Sequence, residues 1–180
     1  MCIRDRSNAM EMNVDGYSNV AVGSKGLNSN TLGHNNVAIG SSTLFGNTEG
    51  NSNIAVGTNA LFANDGGSNN VAVGNSALEN SIGSSGLVAI GDSSLYSNGA
   101  GASPTQAIMN TAVGSKTLFS NTIGRFNTAL GFHTLKDNVS GDYNTAIGKQ
   151  ALESNTCLLY TSDAADKRYR VKHGGHRIIK

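Results

Sequence analysis

The pentapeptide Asn-x-Ala-aliphatic-Gly recurs along this chain and closes at Gly23, Gly40, Gly57, Gly74, Gly91, Gly114, Gly131 and Gly148. Successive glycines are 17 residues apart, except for a single step of 23 between Gly91 and Gly114. Self-similarity at such a period marks an array of stacked units, none of which can bury its own apolar face alone. The six extra residues fall at Gly99-Ala100-Gly101-Ala102-Ser103-Pro104, which holds the only proline. They read as a loop, about 99–104, bulging from one coil.

The columns of the array differ in what they accept. Just before the glycine stands Val22, Ile39, Val56, Val73, Ile90, Val113, Leu130 or Ile147, always aliphatic. Four residues after it comes leucine every time: Leu27, Leu44, Leu61, Leu78, Leu95, Leu118, Leu135 and Leu152. These two columns are predicted to form the core. Two residues before the glycine lies Ala21, Ala38, Ala55, Ala72, Ala89, Ala112, Ala129 or Ala146, on the strand face opposite the aliphatic column. A merely solvated face would drift to Lys, Glu or Thr. Strict alanine therefore predicts close packing on that face as well, and this column is predicted to lie between subunits.

Asparagine recurs ahead of the strand (Asn19, Asn36, Asn53, Asn70, Asn110, Asn127, Asn144) and seven residues past the glycine (Asn30, Asn47, Asn64, Asn98, Asn121, Asn138, Asn155). Asn tolerates left-handed backbone and bonds its own turn, so both columns read as corners. A glycine follows three residues after the second Asn at Gly33, Gly50, Gly67, Gly101, Gly124 and Gly141. The fifth coil is irregular, with Ser81 and Leu87 in the Asn columns. Each unit is thus predicted to hold a five-residue strand, a corner, a short Leu-bearing strand and a second corner. The fold class is all-β, a parallel β-solenoid of about eight coils stacked at roughly 4.8 Å.

Both ends depart from the array. Residues 1–6 (Met-Cys-Ile-Arg-Asp-Arg) and the stretch from Cys157 to Asp166 resemble conceptual translations of sequencing-adapter DNA, so the repeat domain is read as 7–156 and the segment 157–180 as a disordered artefact. The net charge of +1 comes from those ends: residues 7–156 carry five basic and nine acidic side chains, a net −4. An acidic body disfavours nucleic acid as a partner, and the basic run Lys167-Arg168-Tyr169-Arg170-Val171-Lys172 lies outside it. Cys2 and Cys157 also lie in the ends, leaving the body without a redox signal. No apolar run approaches the 18 or so residues of a membrane helix, so no membrane contact is expected in this fragment.

In this context Asn-Val-Ala-Val-Gly, Asn-Val-Ala-Ile-Gly and Asn-Thr-Ala-Ile-Gly, each followed by a Leu and an Asn-rich corner, resemble the head repeats of YadA-type trimeric autotransporter adhesins. The likeness covers Ser7 to Thr156. It implies a homotrimeric, left-handed β-roll that binds host or environmental surfaces outside the cell, anchored through another part of the protein. The 17-residue period is longer than that family's typical head repeat. It resembles repeats of tail-fibre and tail-spike proteins that end in an endosialidase-type chaperone, which implies a virion tail instead.

No catalytic, cofactor-binding or metal site is expected. His34 and His133 occupy different repeat positions, no Asp column offers a calcium ladder, and Gly99-Ala100-Gly101 lacks the strand-to-helix context of a phosphate loop. Asn138-Val139-Ser140 is a formal glycosylation sequon. Ice binding would need a flat, regular Thr array, and the column before Ala turns to Thr only at Thr111, Thr128 and Thr145. One surface column stands out just after the leucines, where Phe45 and Phe62, then Tyr96 and Phe119, are predicted to align into an interrupted aromatic stripe. The stripe reads either as an adhesive contact surface or as a cover over a groove between subunits. The chain is accordingly expected to be a non-enzymatic structural or adhesive fibre segment.

Overall fold

The computed structural model describes residues 3–101, 103 and 105–155. Among them nine short strands form one parallel sheet in chain order. They are β1 (Ile3–Asp5), β2 (Val20–Val22), β3 (Val37–Ile39), β4 (Ile54–Val56), β5 (Val71–Val73), β6 (Val88–Ile90), β7 (Thr111–Val113), β8 (Thr128–Leu130) and β9 (Thr145–Ile147). Each strand pairs with the same position one repeat later, as in Val20↔Val37, Ala21↔Ala38 and Val22↔Ile39. The 23-residue step keeps that register, with Ala89 opposite Ala112. This is the β-solenoid that the repeat predicts.

The strands are three residues long rather than five, and the reason lies at their ends. Before β3, the Asn36 N–H donates to the side chain of Asn19 at 2.9 Å instead of to a neighbouring backbone. After it, Gly40 turns the chain away at φ 134°. The Leu-bearing stretch is a turn, not a second strand, since all eight leucines sit at φ between 49° and 55°. Only glycine and, to a lesser degree, Asn or Asp visit that left-handed region routinely. Leucine is held there because its side chain fills the coil: Leu27 through Leu135 in this column are fully buried.

Coil-to-coil bonds satisfy the turns as well as the strands. The N–H groups of Thr31, Leu32 and Gly33 all point at the Thr48 carbonyl, at 3.0, 2.9 and 3.2 Å. The same threefold convergence recurs on Val139, from Thr122, Ile123 and Gly124. Backbone groups of one coil are therefore completed by the next, and no coil can form alone.

The alanine column is buried within the single chain. Ala21, Ala38, Ala55, Ala72, Ala89 and Ala112 are 0% exposed, Ala129 is 1% and Ala146 is 4%, all in one cluster with the leucines. Its predicted place between subunits is overturned: the narrow interior opposite Leu admits only a methyl group on this strand face. The aliphatic column, predicted as core, faces outward instead, with Ile39 41%, Ile90 40% and Ile147 62% exposed.

The register also reaches further back than residue 7. Ile3–Asp5 pairs with β2, and Arg6 takes φ 83° in the glycine column, so the coil begins inside the 1–6 segment that the sequence sets apart. Met10 takes the leucine conformation, φ 48°, and is buried. The segment 157–180, with Cys157 and the basic run, lies outside the described residues, as does Cys2.

Candidate functional site

Two ladders of asparagine run through the interior, and neither supplies left-handed corner residues as expected. In the first, Nδ2 of each Asn donates to Oδ1 one coil back: Asn30 to Asn13 at 2.7 Å, Asn47 to Asn30 at 2.8 Å and Asn64 to Asn47 at 2.7 Å. In the second, Oδ1 accepts a backbone N–H from the next coil, as Asn36 does from Asn53 at 2.9 Å. The two ladders meet on one carbonyl per coil: Gly50 O accepts Asn36 Nδ2 at 2.8 Å and Asn47 Nδ2 at 3.1 Å. Asparagine thus braces the corners from inside, while Ser, Asn, Lys, Leu and other residues take the positive φ.

This arrangement disposes of the sequon, since Asn138 is fully buried with its Nδ2 held by Asn121 Oδ1 at 3.0 Å and Gly141 O at 3.2 Å. It also explains the irregular fifth coil. Ser81 is too short to continue the first ladder, and Asn64 Oδ1, Ser81 Oγ and Ser84 Oγ are left buried without a partner. Replacing Ser81 by Asn should let the new Nδ2 reach Asn64 Oδ1 and the Ser84 carbonyl. We expect about 1–2 kcal/mol of added stability, read as a higher melting temperature, and an unchanged or lower one would show that the column cannot be completed here.

The predicted aromatic stripe forms as two stacked pairs. Phe45 and Phe62 lie 5.1 Å apart between ring centroids with planes 5° from parallel, and Tyr96 and Phe119 lie 5.0 Å apart at 6°. All four rings are half-buried. The second pair spans the 23-residue step, so the insertion leaves the coil spacing intact at this corner. Glu79 separates the two pairs. Each half-buried ring gives roughly 1 kcal/mol, and stacking about 0.5–1.5 kcal/mol more. Replacing Phe45 and Phe62 together by Ser should therefore cost about 2–4 kcal/mol, seen as a lower urea midpoint, and a loss under 0.5 kcal/mol would mean that the rings serve contact alone.

Two further stacks were not read from the sequence. Tyr17 lies over His34 at 4.7 Å and Phe126 over Tyr143 at 5.0 Å. Each pair is 17 residues apart, so a column-by-column scan for aromatics would have found both. His133 is remote from His34 in the array, pairing through Nδ1 with Glu153 Oε1 at 3.2 Å and stacking on Phe132. Among the described residues no group of three or more His, Cys, Asp or Glu side chains could hold a metal ion, and no helix is long and apolar enough to cross a membrane.

The outer face of the sheet is a regular surface. It carries two side-chain columns per strand, Val20 and Val22 on β2, Val37 and Ile39 on β3, and so on to Thr145 and Ile147 on β9. Eight such strands at about 4.8 Å spacing and two residues of strand rise give a mostly apolar face on the order of 250 Å². Its area is within what single chains expose, and it is the regular repeat at the coil spacing that suits this face to association. The signal was present in the sequence: the outer columns interchange Val, Ile, Leu and Thr, whereas Ala never varies.

The class that this fold defines is the single-sheet parallel β-solenoid. No protein-family model, no curated protein and no solved structure matches the chain.

Proposed function

We propose that the chain is a non-catalytic segment of an extracellular fibre, an adhesin-like head that assembles as a homotrimer through the outer face of its sheet. The observation that carries this reading is the unbroken outward aliphatic column from Val22 on β2 to Ile147 on β9. Its side chains repeat at the coil spacing, and only a partner with the same spacing matches them along the whole length. A second copy of this chain has that spacing by construction. Three copies around an axis is the number implied by the resemblance to YadA-type heads, as are the outside location and the surface ligand. A tail-fibre segment is the second reading, favoured by the 17-residue period.

Val73 and Ile90 lie on neighbouring strands, 36% and 40% exposed. Replacing both by Lys should leave the β-type circular dichroism in place, because neither side chain enters the core. It should abolish assembly, which requires desolvating those positions, and with it the dependence of melting temperature on protein concentration. Retention of that dependence in the double variant would refute assembly through this face.

A further inference from the structure

The one coil that breaks the 17-residue period also builds the groove most unlike the rest of the surface. The insertion leaves the coil after Gly99, whose N–H still reaches Thr122 O at 3.0 Å, and rejoins at Ala107, whose N–H bonds Ile123 O at 3.1 Å. Ala107, not Gly101, supplies the carbonyl that Asn98 Nδ2 braces, at 2.8 Å. The bulge therefore lies a few residues later than 99–104. It is held by a reciprocal clasp, with Ser103 N–H donating to Gln106 Oε1 at 3.1 Å and Gln106 N–H to Ser103 O at 2.8 Å.

Between this loop and the next two coils lies an open groove of about 420 Å³, lined on the loop side by Ser103, Thr105 and Gln106 and opposite by Ile123, Arg125, Ser140 and Asp142. Its volume falls within the roughly 300–1,000 Å³ of small-molecule sites. Arg125 and Asp142 face each other across the coil step. The Arg125 N–H donates to Asp142 Oδ1 at 2.9 Å and its Nε to Oδ2 at 3.2 Å. Asp142 thus fixes the guanidinium, while among the described residues the two η-nitrogens of Arg125 and Nε2 of Gln106 have no hydrogen-bond partner. This repeat column reads Tyr17, His34, Asn51, Ser68, Ser85 and Ile108 before Arg125 and Asp142, so its one acid–base pair stands here, on two successive coils.

We infer that this groove is a binding site for a neutral saccharide. The lining offers planar donors from Arg125 and Gln106, three hydroxyls, and one exposed apolar side chain, Ile123, against which the C–H face of a sugar ring can lie. The Arg125–Asp142 pair is neutral as a unit, and the surrounding repeat body carries a net −4, so an acidic ligand is disfavoured. The inference rests on the surface-recognition reading for its biological sense, but not on the trimer. A missing sugar signal leaves the assembly mass as it is, and a monomeric mass leaves the groove as it is.

The test is a glycan array carrying neutral and acidic oligosaccharides, probed with the intact chain and followed by calorimetric titration of the best neutral binder. Arg125→Ala removes the free donors. Thr105→Trp fills the groove from an exposed loop position and keeps the test independent of any folding defect in the first variant. Each should weaken binding about tenfold or more at an unchanged melting temperature, and Phe45→Ser should leave affinity as it was. The inference is overturned if no neutral saccharide binds at millimolar concentration, if only acidic glycans bind, or if binding survives both substitutions.

Discussion

Replacing Gly57 by alanine is expected to lower the melting temperature by about 10 °C or more. Gly57 closes β4 at φ 132°, a backbone conformation that L side chains rarely adopt. A Cβ added there would stand 2.4 Å from the carbonyl oxygen and 2.7 Å from the carbonyl carbon of Gly74, the equivalent glycine one coil on. Both atoms are backbone and cannot swing away, so the two coils must separate at the corner where Gly74 N–H bonds Val56 O at 2.9 Å. Steric overlap and strain together should cost about 4 kcal/mol or more. Gly66→Ala is the matched control: its Cβ meets nothing within 4 Å, and the change should stay within about 0.5 kcal/mol. Equal melting of the two variants would contradict the close stacking of the glycine column.

The second large effect is expected at Asn47→Asp, a substitution that keeps the shape and removes a donor. Asn47 is fully buried, and its Nδ2 is shared between Asn30 Oδ1 at 2.8 Å and Gly50 O at 3.1 Å. A carboxylate there would face two acceptors, with only Asn64 Nδ2, now 2.7 Å from the Asn47 oxygen, still donating. An unpaired buried charge costs about 3–5 kcal/mol. Burial and facing acceptors raise the folded pKa of the new carboxyl above its unfolded value near 3.9. The protonated form, which can donate one bond, is then favoured by folding. Relative to the wild type, the penalty should be smallest below about pH 4 and grow as pH rises through the folded pKa. Denaturant titrations of both proteins at pH 4 and pH 7 measure it, and a penalty equal at the two pH values would contradict an interior ladder at Asn47.

Much of this architecture is legible in the sequence because its strongest signal is one of spacing. A period of 17 places Val20 beside Val37 and Phe45 beside Phe62, and the pairing and stacking follow from that alone. What spacing cannot decide is which strand face turns inward. Size argues for the aliphatic column, yet the interior is narrow and already holds one Leu and up to two Asn per coil, so only Ala fits against them. The decisive mark was tolerance: a column that accepts Thr111, Thr128 and Thr145 in place of valine touches solvent in this single chain. The left-handed leucines were equally hidden, since Leu has no preference for φ near 50° and is kept there only by burial. The groove at Arg125 escaped notice because its two charged residues are ordinary in isolation and meaningful only one coil apart.

The central claim, that a closed core leaves an apolar outer sheet face for copies of the same chain, is tested most directly by the solution mass of the intact chain. Light scattering after size exclusion, under reducing conditions, should give about 55 kDa, three times the 18.5 kDa of one chain. A folded species at 18.5 kDa with parallel-β circular dichroism would contradict it, leaving the outer face of β2 to β9 exposed to water without a partner of its own kind.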